Sequence, residues 1–500
     1  MKSIMIQGTG SSVGKSVIVT GLCRIFSDMG FKVTPFKAQN MALNSYITNN
    51  GKEMGRAQVV QAEAARVTPN ADMNPILIKP NSDTGAQIII HGEVFGNMSA
   101  VEYHKFKREA KKYVVESFNR LSEKFDIMVI EGAGSPAEIN LIENDIVNMG
   151  MAEIADSPVI LTGDIDKGGV FASLVGTVQL LPEKDRKRIK AFLINKFRGD
   201  VSLLEPALTE ITNMTKIPFL GIVPYFKDLY IQEEDGVAVE SYRKKEITFN
   251  EIKIAVLHLP HISNFTDFDA LEREPDVSLK YITLNEKLEN FDILIIPGSK
   301  NTIDDLIKIK EYQFHKTIEK FAQNGGVIVG ICGGFQILGE KIFDPFHVES
   351  SNDSVNALGF LNFTTKMEKE KTTRQVKVRV NPTCSKMYVN EILEGYEIHM
   401  GINDYISKNF LFENIHTKEQ DGLISDNGKI WGTYIHGIFD NDHFRRNFLN
   451  NIRLDKGLKP LKLDSAYNYK QLKEEGFNKL AELLKESIDF QLLLKIMGLK

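Results

Sequence analysis

The sequence is poor in cysteine, has a single tryptophan and lacks any long apolar run, and each shortage narrows what the chain can be. Its three cysteines, Cys23, Cys332 and Cys384, lie far apart with no CxxC or CxxH spacing, so neither a disulfide framework nor a zinc site is expected. No stretch approaches the ~18 apolar residues of a membrane span. The start, Met1 to Gly8, runs into a polar glycine loop before the apolar core of a secretory signal can form. A folded protein of the reducing cytoplasm, with no membrane partner, is the expectation. Positive charge is not in excess either: 61 Lys and Arg stand against 66 Asp and Glu, a net of −5, which argues against nucleic-acid binding through a strong overall field. What is present is ordinary globular material, 42% hydrophobic and 25% charged, in 500 residues. That length suits two large α/β domains or about three of common size. It leaves the oligomeric state open.

Short apolar runs alternate with amphipathic stretches over the first 225 residues, the pattern of βα units on a mostly parallel sheet. Strands are expected at Ser3–Gln7, Lys32–Phe36, Ile127–Ile130, Val159–Leu161, Ala191–Asn195 and Phe219–Val223. A helix between the first two carries Ile18, Leu22, Ile25, Phe26 and Met29 on one face and stops at Gly30. From Pro224 to Asn250 the periodicity fades and charge rises, which marks a boundary. Apolar strands resume at Lys253–Leu259, Phe291–Ile296, Gly326–Ile331 and Lys429–Ile435, a second α/β domain. The expected division is residues 1–230, residues 251–445, and a helical C-terminal extension over 446–500 with Leu480, Leu483, Leu484 and Ile488 at helical spacing.

Two segments carry chemistry. Gly8-Thr9-Gly10-Ser11-Ser12-Val13-Gly14-Lys15-Ser16 follows a strand and opens a helix, the context of a phosphate-binding loop. Its backbone N–H groups cradle phosphates, Lys15 reaches the β and γ oxygens of ATP, and the Ser16 hydroxyl suits Mg2+. Strict G-x4-G-K-S spacing would put glycine at Thr9; here the glycine is one residue earlier. Glu131, at the end of Ile127–Ile130, stands where a second magnesium contact belongs, though an acid there also serves as a helix cap. Gly8, Gly10, Gly14, Lys15 and Ser16 are thus candidate ATP residues, with Ser16 and Glu131 candidate metal ligands.

In the second half, Gly330-Ile331-Cys332-Gly333-Gly334 closes a strand before a helical segment, the small-residue pattern of a nucleophile elbow with cysteine at its tip. The helix that follows favours thiolate. Among ten histidines, His436 ends a strand and is the best candidate base, since Cys–His pairs form in space across such sheets. Backbone N–H groups of Gly298 and Gly333 are candidate oxyanion donors. Cys23 and Cys384 have no elbow and read as structural.

Together these residues resemble the cobyric acid synthase family, the glutamine-hydrolysing amidotransferases of cobalamin synthesis, over nearly the whole chain. The loop Gly8–Ser16 is similar to that of dethiobiotin synthetase and its relatives, which carry the same extra residue. Phe36 to Ser45, Gly55-Arg56-Ala57-Gln58, Asp72-Met73-Asn74-Pro75 and Gly163 to Ser173 resemble the synthetase half. Leu259 to Phe268, Pro297 to Thr302 and Gly395 to Gly401 resemble the glutaminase-like half. One position departs from the broader class I glutaminases, where a glutamate two residues after the histidine orients it. Here Ile438 stands there, so only the Cys332–His436 dyad is assigned.

The resemblance implies a P-loop domain with a mostly parallel sheet joined to a class I glutamine amidotransferase-like domain. It implies Mg-ATP-dependent amidation of adenosylcobyrinic acid a,c-diamide at the b, d, e and g carboxylates, with glutamine supplying ammonia. Asn195, at a strand end, is a candidate adenine contact or an ordinary cap. Arg56, Lys79, Lys167 and Arg198 are candidate partners for substrate carboxylates, with solvated surface charge the simpler expectation. Two other readings stay open. Cobyrinic acid a,c-diamide synthase has the same two modules, and a partitioning-type P-loop ATPase would explain the loop but not the elbow.

Overall fold

The computed structural model describes residues 1–80, 85–226, 229–232, 252–384, 387, 389–463 and 468–499. The chain divides into two units, Met1–Ala42 with Glu53–Gln232 and Lys473–Lys500, and Leu43–Lys52 with Glu233–Leu472. Most of the stretch where composition marks the boundary, residues 233–250, lies outside the described residues.

The first unit is built on a six-stranded parallel sheet of β1 (Lys2–Gly8), β2 (Val33–Phe36), β3 (Ile127–Glu131), β4 (Val159–Asp164), β5 (Ile189–Phe197) and β6 (Phe219–Pro224), in the order β6-β5-β4-β1-β3-β2. All six expected strands are present. Ile4 and Met5 of the central strand are wholly buried, as a strand covered on both faces requires. Helix α1 (Lys15–Asp28) packs its Ile18, Leu22, Ile25 and Phe26 into the core. Because every strand runs the same way, the loop after β1, Glu131, Asp164 and Asn195 all emerge at one sheet edge, where open α/β sheets bind ligands. A second, four-stranded sheet of Gln39–Met41, Ile76–Pro80, Gly85–Ile90 and Glu93–Ser99 was not anticipated, its strands being short or partly polar.

The C-terminal helices are not a separate extension. Residues 473–500 belong to the first unit, where Leu480 and Leu484 join its core. A methyl on Gly21 of α1 would meet Leu484 at 2.3 Å, and the Asp489 amide donates to the Leu220 carbonyl at 2.7 Å. Burial of their apolar stripe, not chain order, decides where they dock.

The second unit holds β7 (Ile252–Leu257), β8 (Val277–Ile282), β9 (Ile293–Ile296) and β10 (Val327–Ile331), paired in parallel as β8-β7-β9-β10. An antiparallel extension contains β11 (Phe363–Val380), β12 (Leu393–Tyr405), β13 (Phe410–Asn414) and β14 (Gln420–Ile424), and it rejoins β10 through β15 (Ile430–Thr433). The run expected as one strand over Lys429–Ile435 breaks at Tyr434. β15 pairs with β10, whereas β16 (Ile435–His436) turns to pair antiparallel with Tyr396 and Glu397. Helix α2 (Gly333–Leu338) follows β10, and helix α3 (Asp442–Asp455) follows His436.

Trp431 is fully buried among Phe439, Phe444 and Phe448 and fixes α3 against β15. Three buried arginines of α3 reach the segment after Asp267. Arg445 meets Glu274 at 2.7 Å, Arg446 meets Glu274 at 2.8 Å and Asp276 at 2.9 Å, and Arg453 meets Asp276 at 3.1 Å. Removing Arg446 takes one cation out of this buried cluster and leaves Glu274 and Asp276 each one partner short, so Arg446→Met should lower stability by about 3 kcal/mol. Urea unfolding followed by tryptophan fluorescence measures this in the second unit alone, because Trp431 is the chain's only tryptophan.

Two candidate active sites

In the first unit the loop between β1 and α1 is shaped by Gly14, which sits at φ 96°. A Cβ there would lie 2.1 Å from Asn195 Nδ2. Asn195 donates that amide to the Val13 carbonyl at 2.8 Å, so it braces the loop from β5. Lys196 adds a second brace, to the Ser12 carbonyl at 2.7 Å and to Asp164 at 2.9 Å. Lys15 bends over the loop and donates to the carbonyls of Gly10 at 2.9 Å and Gly134 at 3.2 Å. Gly8 lies where a side chain would strike Val13 at 2.5 Å, while Gly10 has open space around it.

Glu131 is buried at the end of β3. Its Oε1 accepts from Ser16 Oγ at 2.9 Å and Lys37 Nζ at 2.9 Å, and its Oε2 accepts from Gln61 at 2.6 Å. Burial alone would favour the neutral acid, but Lys37, Gln61 and Lys15 together hold the carboxyl below its ordinary range, and it stays ionised. The structure thus brings Ser16 and Glu131 together as the sequence suggested, and adds Lys37 and Gln61. Lys37 follows β2 directly and Gln61 lies on a helix more than twenty residues further on. Position in the sequence gives no sign that they converge.

Two expected surface charges are buried instead. Lys79 pairs with Glu53 at 2.9 Å, and Arg56 bonds Gln232 at 2.9 Å. Lys167 and Arg198 are exposed, and Arg198 pairs with Asp166 at 3.0 Å.

In the second unit Cys332 stands between β10 and α2 at φ 52°, ψ −108°, a strained backbone for a residue with a side chain. Its amide donates to the Thr433 carbonyl at 2.8 Å, and its thiol approaches the Ile398 carbonyl at 3.5 Å. Gly334 permits the turn: a Cβ there would lie 1.9 Å from the Ile296 carbonyl oxygen. Gly333 packs against the Ser299 amide, and Gly298 lies beside the His436 ring, with 3.3 Å from an added Cβ to the ring carbon. The expected oxyanion donors therefore belong to the two turns that flank the cysteine and the histidine.

His436 is buried, and its Nδ1 donates to Asp267 Oδ2 at 2.6 Å. The other oxygen of Asp267 accepts from the Gly437 amide at 3.0 Å. Nε2 is buried with no nitrogen or oxygen partner among the described residues and is left for Cys332. Burial disfavours the charged ring, yet Asp267 and Cys332 outweigh it and push the histidine up to about 10. Asp267 does what Ile438 cannot, and it comes from 169 residues upstream. It lies inside the Leu259 to Phe268 stretch singled out in the sequence, but nothing local marks it as the partner of His436.

The arrangement is a Cys–His–Asp relay on one unit and a phosphate-loop site with a buried carboxylate on the other. Among the described residues no group of three His, Cys, Asp or Glu could enclose a metal ion. No helix among them is long and apolar enough to cross a membrane.

Comparison with known proteins agrees with this division. Residues 4–239 match the CobQ/CobB/MinD/ParA nucleotide binding domain, and residues 253–444 match the CobB/CobQ-like glutamine amidotransferase domain. A cobyric acid synthase of Thermoanaerobacter sp. (strain X514) is 50% identical over 99% of this chain and 98% of its own length. One from Clostridium botulinum (strain Loch Maree / Type A3) is 51% identical over the full length of both. Among solved structures, PurLQS of Thermotoga maritima aligns with 46% of this chain and 99% of its own at 19% identity and a TM-score of 0.31, a likeness too slight to add to the argument. With half of all positions identical from end to end, this chain belongs to the cobyric acid synthase family of glutamine-dependent amidotransferases.

Proposed function

We propose that the second unit hydrolyses glutamine and the first activates carboxylates of a corrinoid, adenosylcobyrinic acid a,c-diamide, for amidation at the b, d, e and g side chains. The Cys332–His436–Asp267 geometry is the observation that supports this most strongly, because a nucleotide-dependent switch has no use for it. Cys332, its proton already passed to His436, attacks the glutamine amide carbon as the thiolate, and the oxyanion that forms is met by backbone N–H groups of Gly298 and Gly333. His436 gives its proton to the departing ammonia and then draws one from the water that cleaves the thioester. Asp267 fixes the ring's orientation and balances its charge.

In the first unit ATP phosphorylates the carboxylate. Ammonia cannot displace oxide from a carboxylate, and an acyl phosphate supplies a leaving group. Gly8, Gly10 and Gly14 line the phosphate loop and Lys15 reaches the transferring phosphoryl group. Asn195 is the adenine contact through its Oδ1, since Nδ2 is committed to Val13. The donor set suits Mg2+: a hydroxyl and an ionised carboxylate already in contact are hard ligands, and this ion takes one or two protein oxygens with phosphate and water completing its shell. Ser16 and Glu131 would hold it, and when bound it neutralises charge on the phosphate oxygens. The reducing cytoplasm suits the free thiol of Cys332. The full-length similarity to proteins named cobyric acid synthase favours this reading over the a,c-diamide synthase.

Three outcomes are expected. Cys332→Ala should lose glutamine-dependent amidation while keeping the rate with ammonium, scored by product mass; full activity with glutamine would make Cys332 structural. Glu131→Gln should lower ammonium-dependent amidation by at least about 100-fold and leave glutamine hydrolysis intact. Because His436 stays protonated up to about 10, the glutaminase rate should decline as pH rises through that value. Asp267→Asn removes the charge that raises the histidine, so the decline should move to lower pH, with kcat down by about 10²- to 10⁴-fold.

A further inference from the structure

Two of the stretches singled out in the sequence, Phe36 to Ser45 and Leu259 to Phe268, lie more than two hundred residues apart, yet they meet beside His436. Residues 43–52 fall, in chain order, between strands Gln39–Met41 and Glu53–Gly55 of the first unit, but they belong to the second. Asn44 and Asn264 each accept there from the backbone amide that follows the other. Asn44 Oδ1 accepts from the Phe265 amide at 3.1 Å, and Asn264 Oδ1 accepts from the Ser45 amide at 3.0 Å. Both asparagines are almost completely buried, and Asn264 sits at φ 52°, ψ 41°, a conformation asparagine tolerates better than most residues.

A third group closes the arrangement. The Tyr396 hydroxyl donates to the Ser45 carbonyl at 3.1 Å and accepts from Asn264 Nδ2 at 3.3 Å. Its ring lies nearly parallel to His436, 19° apart with centroids at 5.3 Å. Gln375 and Thr373 of β11 bond the carbonyls of Ile47 and Gly51, which pins the rest of the segment. The turn that begins at Asn264 is the one that carries Asp267, whose amide bonds the Asn264 carbonyl at 3.0 Å.

We propose that Asn44, Asn264 and Tyr396 form a latch that positions Asp267 and His436, so that glutamine hydrolysis requires residues 43–52 to be seated. The proposal rests on the assignment of Cys332, His436 and Asp267 made above. A buried exchange of amide bonds is directional in a way apolar packing is not. Displacing residues 43–52 breaks both Asn bonds and the bond from the Tyr396 hydroxyl to Ser45, and the histidine and its acid lose these supports together. Both ends of this segment continue covalently into the first unit's sequence, so a change there that draws on either end acts on the glutaminase without any new contact. Asn44, Asn264 and Tyr396 are positioning residues in this account.

The test compares full-length Asn44→Ala, Tyr396→Phe and Cys332→Ala in glutamine hydrolysis and in corrinoid amidation with ammonium and Mg-ATP. Asn44→Ala should lower kcat for glutamine by about 100-fold, the scale of a misplaced reacting group. KM should hold, the alkaline decline of the rate should move to lower pH, and the ammonium-dependent rate should match the wild type. Tyr396→Phe, which keeps the ring on His436, should lower kcat by about tenfold; it decides the matter if Asn44→Ala does not fold. Wild-type kcat and pH profile in Tyr396→Phe and in a folded Asn44→Ala, or equal losses with glutamine and with ammonium, would overturn the latch. A glutaminase that survives Cys332→Ala would instead overturn the site assignment on which the latch rests.

Discussion

The hydrogen bond from His436 to Asp267 is the contact around which the second unit is arranged. Its two residues come from opposite ends of the unit's sequence, and everything that brings them within 2.6 Å is costly to misplace. The break at Tyr434 turns the chain from β10 to β12, so that His436 pairs opposite Tyr396. Buried Arg445, Arg446 and Arg453 tie the helix after His436 to the chain after Asp267. The cysteine arrives by a different route, on a strained turn whose glycines admit the neighbouring strand's carbonyl. Low dielectric then strengthens what geometry has assembled: the buried imidazolium of His436, held by Asp267 and Cys332, stays charged far above its ordinary range.

The first unit solves a related problem with the charges reversed. Glu131 is a buried anion that stays ionised because Lys37 and Gln61 surround it, and it presents an oxygen to Ser16 at the start of α1. Here the parallel sheet does the gathering, since the ends of β1, β3, β4 and β5 all deliver their residues to one edge. Amidation needs both kinds of site, one to release ammonia and one to give a carboxylate a leaving group, and a single chain encodes them on separate cores.

How much of this was legible in the sequence depended on how local each signal is. The phosphate loop and the cysteine elbow are contiguous, and their glycines are demanded by backbone conformation, so both could be read directly. Strands β1 to β7, β9 and β10 read as apolar runs because most are buried on both faces, whereas β8, with Ser278 and Lys280 in it, was missed. The antiparallel strands of β11 to β14 alternate polar and apolar residues and escaped notice. Asp267, Lys37 and Gln61 were hidden for another reason: each acquires its role from a partner seventy or more residues away. The unit to which residues 43–52 and the C-terminal helices belong was hidden for the same cause, because it is set by the surface that buries an element and not by its neighbours in the chain.

The most direct measurement follows both atoms of the exchange in one reaction, using amide-15N glutamine and a corrinoid whose free carboxylates carry 18O. The account predicts one 15N in the corrinoid and one 18O in inorganic phosphate for every amide formed. Product nitrogen without label, or phosphate without 18O, would contradict it: the first would deny glutamine as the ammonia source, and the second would deny the acyl phosphate.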